Sequence, residues 1–152
     1  MPISFVLRTI LGLATPLPQL PPISVPAPVR HAWEARYTGT AQWQAAADHS
    51  YEAIFTVHGV RTGTRYDAAG QLLETRVVIG SFDLPEPVRK AVIRELRRYH
   101  ILESWRVDLP GKQPPQFVVE CDNIRQAVTA RFDANGQLLS RVARPTTHAG
   151  TR

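Results

Sequence analysis

The sequence predicts an α+β fold built from two tandem repeats. Each repeat is one helix followed by a four-stranded antiparallel meander, with the helices packed on one sheet face. Two recurrences and one pattern carry this reading. Val25-Pro26-Ala27-Pro28-Val29-Arg30-His31-Ala32 returns as Leu84-Pro85-Glu86-Pro87-Val88-Arg89-Lys90-Ala91. Arg65-Tyr66-Asp67-Ala68-Ala69-Gly70-Gln71-Leu72-Leu73 returns as Arg131-Phe132-Asp133-Ala134-Asn135-Gly136-Gln137-Leu138-Leu139, with seven of nine positions identical. Apolar residues between and after these segments alternate with period two, as in strands with one buried face. Segments recurring in the same order indicate one structural unit used twice.

The elements follow in order. Residues 1–24 form a signal-like segment and a Pro-rich linker. Ile3 to Ala14 is apolar with Arg8 inside it, too short to span a bilayer and similar to a short signal core. The first repeat, 25–80, opens at Pro26 and Pro28, since proline is tolerated in a first helical turn. Val29, Ala32, Trp33 and Tyr37 recur at helical spacing, and Thr38-Gly39 ends the helix. Strands follow at Thr40–Ala47, Tyr51–Val57, Val60–Tyr66 and Gln71–Ile79. His58-Gly59 and Asp67-Ala68-Ala69-Gly70 form the turns.

The second repeat, 81–144, opens with Asp83 as a helix N-cap. Val88, Val92, Ile93, Leu96 and Tyr99 form the apolar stripe of a helix reaching Tyr99. Strands are predicted at Ile101–Val107, Gln116–Cys121, Ile124–Phe132 and Gln137–Arg144. The second repeat is longer, and the insert falls in Asp108–Pro115. Residues 145–152 are expected to be a disordered tail.

Composition narrows the function. Hydrophobic content of 43% and charged content of 20% suit a folded chain. A net charge of +5 favours acidic partners. Cys121 is the single cysteine, which excludes an internal disulfide and a cysteine zinc site. It shares a strand face with Phe117 and Val119, so a buried apolar role is expected. His49 and His58 flank a strand as loop residues. Asp67 and Asp133 occupy equivalent hairpin loops, where aspartate bonds nearby backbone N–H groups without catalysis. No phosphate-binding glycine motif occurs, and the chain lacks the interleaved aromatics of a single-strand nucleic-acid site. The basic flank of the second helix (Arg89, Lys90, Arg94, Arg97 and Arg98) reads first as a solvated face. Its second reading is a site for an acidic partner or anionic lipid.

The ordered pattern resembles PepSY-like proteins grouped with the β-lactamase-inhibitor protein fold. It is carried by Pro26/Val29, Tyr51-Glu52-Ala53-Ile54-Phe55, Tyr66-Asp67-Ala68-Ala69-Gly70, Leu73-Glu74-Thr75 and Leu84-Pro85-Glu86-Pro87-Val88, over roughly residues 25–143. The resemblance implies tandem helix-plus-four-strand units, export to the periplasm or medium, and no established enzyme activity. It transfers no inhibitory residue.

The open sheet face is therefore the candidate site. If Tyr51, Phe55, Tyr66, Val119 and Phe132 face the helices, then Glu52, Ile54, Thr56, Glu74, Arg76, Val118 and Glu120 face outward. So do Arg61, Arg65, Arg125, Thr129 and Arg131, which are the candidate protein-binding residues. Arginine is enriched at binding hot spots. The expected function is a noncatalytic exported module binding a protein or peptide, with enzyme inhibition as one form of it. The alternative is an envelope accessory protein binding a small ligand or metal ion, and an enzyme ranks third. No catalytic residue, metal ligand, cofactor, specific nucleic acid or membrane span is predicted.

Overall fold

The two recurrent motifs touch each other, which explains why they recur together. In a computed structural model describing residues 23–146, Gly70 sits against the first turn of the first helix. A Cβ there would lie 2.5 Å from the Pro28 carbonyl oxygen. Gly136 abuts the equivalent Pro87 carbonyl more closely still. Both glycines have positive φ, 85° and 82°, so only glycine meets the conformation and the close approach together. Asp67 Oδ1 accepts from the N–H groups of Ala69 and Gln71, and Asp133 Oδ1 from those of Asn135 and Gln137. Both aspartates thus build their loops.

Helix α1 spans Ala27–Glu34 and α2 spans Glu86–Leu96. The Pro26 and Pro85 carbonyls accept the first helical bonds from Arg30 and Arg89. Pro85, not Asp83, is the N-cap of α2. Asp83 instead accepts from Gly80 N–H and closes a 3-10 turn over Ser81–Asp83. Two prolines two residues apart set the helix start beyond its reach. Both helices end earlier than the apolar stripes suggest. Tyr37 and Tyr99 still pack on the cores, from turns beyond the last helical residue.

Eight antiparallel strands lie in sequence order: β1 Gln42–Ala45, β2 Tyr51–Val57, β3 Val60–Tyr66, β4 Leu72–Ile79, β5 His100–Asp108, β6 Gln116–Asp122, β7 Gln126–Phe132 and β8 Leu138–Pro145. Each helix is followed by four of them. Pairing continues without a break from β4 to β5, so the repeats share one sheet. Pro145, expected in the tail, closes β8, and Thr146 donates its N–H to the Arg125 carbonyl. The remaining tail from 147, and the signal-like segment through 22, lie outside the described residues.

The helices cover one sheet face with two cores of different character. Under α1 the core is aromatic: Trp33 stacks edge-on against Phe55 at 5.3 Å and Trp43 at 6.1 Å. Under α2 it is mainly aliphatic, with Val88, Val92, Leu96, Val119, Val128 and Phe132. Cys121 belongs to this core at 1% exposure. Its Sγ lies 3.6 Å from the Val128 carbonyl oxygen. Burial raises its pKa, the expected behaviour of a thiol among apolar neighbours.

Candidate functional site

The helix-free face has a core of its own. Trp105, Val107 and Val118 are buried there, at 1%, 0% and 4% exposure, although no helix covers them. Arginines cover them instead. The Arg76 guanidinium lies 4.5 Å from the Trp105 ring centroid and that of Arg61 lies 5.3 Å away. Each is held from its other side by a carboxylate: Arg76 pairs with Glu52, and Arg61 with Glu103 at 3.1 Å. Arg76 can lie this way because Gly63 is directly opposite it in the β3–β4 register. A Cβ on Gly63 would come within 2.8 Å of Arg76 Nε. The missing side chain is the space the guanidinium stem uses.

Beside this stack, Glu74 forms a clasp. Its side chain is only 6% exposed. Arg131 Nη2 donates to Glu74 Oε2 at 3.1 Å, and Arg131 Nη1 reaches Gln116 Oε1 at 3.0 Å. Arg65 Nη2 approaches Glu74 from the other side at 3.5 Å. Glu74 is on β4 and Arg131 on β7, so the contact passes over two intervening strands. Flat strands about 4.8 Å apart would hold those backbones beyond one arginine's comfortable reach. The sheet is therefore bent toward its helix-free side.

The bend makes a hollow of about 480 Å³. Gln44 and Glu52 from one end of the sheet line it together with Thr129, Ser140, Val142 and Arg144 from the other. Arg65, Glu74, Arg76, Val118 and Arg131 form its middle. A second recess of about 350 Å³ adjoins it over Trp105, between Arg61, Arg76 and Glu120.

Four of the five residues singled out from sequence lie on this face. Arg65, Thr129 and Arg131 line the hollow, and Arg61 lines the recess beside it. Arg125 does not. Asn123 Oδ1 accepts from the N–H groups of Arg125 and Gln126, which closes a turn and starts β7 at Gln126. Arg125 is thus exposed in the β6–β7 connection, outside the sheet face. Trp105 was not singled out from sequence. A bulge between Ile101 and Glu103 reverses the strand phase, so Ile101 pairs on the helix side while Trp105 faces the recess on the helix-free side. Unbroken alternation hides that change. Arg144, which lines the hollow and has no carboxylate partner among the described residues, was also missed. It stands one position before Pro145, where the sequence places the start of the tail.

His49 and His58 have positive φ, 60° and 49°, and stand beside turns rather than near ligands. Among the described residues no group of three histidine, cysteine or acidic side chains could hold a metal ion. No helix among them is long and apolar enough to cross a membrane.

No family model matches the chain, and no curated protein matches it. Solved structures do. A putative periplasmic protein from Bacteroides eggerthii aligns with a TM-score of 0.66 at 15% identity, over 83% of this chain and 94% of that one. A DUF2874 family protein from Bacteroides ovatus gives 0.62 at 19% identity, over 80% and 89%. A BLIP-like protein from Bacteroides fragilis gives 0.58 at 19% identity, over 88% and 94%. At these identities the likeness is one of fold: the chain has the BLIP-like architecture of two helices on an eight-stranded open antiparallel sheet.

Proposed function

We propose that the protein is a noncatalytic, exported binding module that engages a protein or peptide in the hollow of its helix-free sheet face. The observation that carries this reading is the Arg65–Glu74–Arg131 clasp beside the Arg76–Trp105 stack. These side chains are held in place before any partner arrives, so little of their freedom is left to lose on binding. Aromatic and arginine side chains with hydrogen-bonding neighbours are the usual anchors of protein contacts. Arg144 and the unfilled hydrogen-bonding capacity of Thr129, Ser140 and Gln44 would meet an acidic or amide-rich partner. Export is supported by the signal-like sequence at Ile3–Ala14 and by a structural neighbour described as putatively periplasmic. The PepSY-like relationship rests on the sequence motifs.

The test begins with capture of a partner from envelope extract and an isotherm on the purified pair. Thr129→Trp fills the hollow without changing charge, at an exposed strand position. We expect it to weaken binding at least tenfold while the thermal melt stays within a few degrees. Unchanged affinity would move the binding surface off this face.

A further inference from the structure

The helix-bearing side carries a second surface of different chemistry. Phe82, in the 3-10 turn, is 90% exposed, Ile93 on α2 is 69% exposed, and Ile101 at the start of β5 is 39% exposed. They are not scattered. With Leu84 and Val92 they line one shallow notch of about 160 Å³, whose single charged neighbour is Arg89. Arg89 Nη1 is held at the rim by the Phe82 carbonyl oxygen, at 3.1 Å. The flank of α2 is basic. Over residues 81–99, Arg89, Lys90, Arg94, Arg97 and Arg98 are accompanied by three acids, Asp83, Glu86 and Glu95. Glu86 pairs with Lys90, Glu95 with Arg94, and Asp83 with a backbone N–H. Arg89, Arg97 and Arg98 therefore have no carboxylate partner among the described residues.

We propose that this face docks the protein on an anionic phospholipid surface, with Phe82 and Ile93 entering the headgroup boundary and the arginines meeting the phosphates. A contiguous exposed apolar patch marks a partner or membrane contact, and basic side chains around it suit an anionic lipid interface. Geometry favours lipid over a protein partner. The sheet bends away from this side, so Phe82 stands on the outward-curved surface as a projection rather than as the wall of a deep pocket. A protein would need a matching cavity for it, whereas a fluid interface closes around it. Basic residues beside an anionic bilayer each contribute about fivefold in affinity, and the effect falls off within a Debye length. Binding is therefore sensitive to salt.

The full chain is sedimented with vesicles of phosphatidylcholine alone and with vesicles containing about one third phosphatidylglycerol. It is expected to partition onto the latter at low salt, and to leave them in phosphatidylcholine or at high salt. Phe82→Ser with Ile93→Ser should weaken that partition at least tenfold, from loss of two apolar insertions. Its thermal melt should match that of the parent, since both side chains are largely exposed. Parent and variant share residues 1–22, so their difference reports on the notch and not on the apolar N-terminal stretch. Thr129→Trp should bind vesicles like the parent, which separates this surface from the hollow. Equal partition of the double variant, equal binding to both vesicle types, or no binding to either would overturn the proposal.

Discussion

Glu74 is the residue on which the hollow turns. It is a nearly buried carboxylate with an arginine on each side, and the arginines keep about a quarter to a third of their side-chain surface wet. Removing one partner of a buried ion pair is costly because the remaining charge stays unpaired. We expect Glu74→Gln to cost ~2 kcal/mol, below the fully buried range because solvent reaches the guanidiniums. Urea titration measures it, and a loss below about 0.5 kcal/mol would mean that the clasp is ornamental. Arg65→Ala with Arg131→Ala strands Glu74 in the sheet without either cation, and its melting temperature should fall. Cys121 gives a second prediction at this scale. Its folded pKa is raised by burial above an ordinary value of 9.0. The stabilisation linked to the neutral thiol is thus present below that value and is lost as pH rises through the folded one. The parent should lose stability above about pH 9 more steeply than Cys121→Ala, measured as urea midpoints from pH 7 to 10. Parallel curves would contradict the buried assignment.

At the scale of elements, the hairpin loop and the helix start behave as one part. Gly70→Ala and Gly136→Ala should each cost about 2–4 kcal/mol, combining strain at positive φ with overlap on a proline carbonyl. Gly59→Ala supplies the control. Its φ is also positive, at 80°, but nothing lies within 4 Å of the added carbon, so only the strain, about 1 kcal/mol, should appear. Equal losses at all three positions would show that the proline contact is unimportant. The elements themselves were largely legible from residues. Alternation in Tyr51–Val57 and the paired Asp-Ala-x-Gly loops mark strands and turns directly, because period two and positive φ are local properties. What was not legible came from places where local rules yield to neighbours. The bulge near Ile101 flips Trp105, Asn123 removes Arg125 from the sheet, and Pro85 takes the N-cap position from Asp83. None of these can be read from periodicity. Each depends on which backbone groups find partners in three dimensions.

For the whole molecule, the unbroken β4–β5 pairing and the clasp across it predict that the two repeats unfold together. The near-ultraviolet signal of the Trp33, Tyr37, Trp43 and Phe55 cluster reports the first repeat. Thiol exposure at Cys121 reports the second. Their urea transitions should coincide, as for a single cooperative unit. A midpoint gap much larger than the error would show that the repeats are separate folding domains. The sheet face and the notch lie on opposite sides, so a partner held in the hollow would face away from any surface the helices touch.

The clasp also marks where the two repeated motifs differ. Arg65 and Arg131 occupy the same place in the repeated motif, but only the first motif is followed by an acid. Leu72-Leu73-Glu74 corresponds to Leu138-Leu139-Ser140. Two equivalent cations thus lean on one anion, and the serine that stands where the second anion would be lines the hollow instead. Symmetry has been exchanged for dependence. An isolated second half would carry Arg131 without the Glu74 carboxylate it holds, and an isolated first half would lose the bidentate hold on Glu74. The motif is counted twice in the chain, but its charge balance is struck once, across both copies.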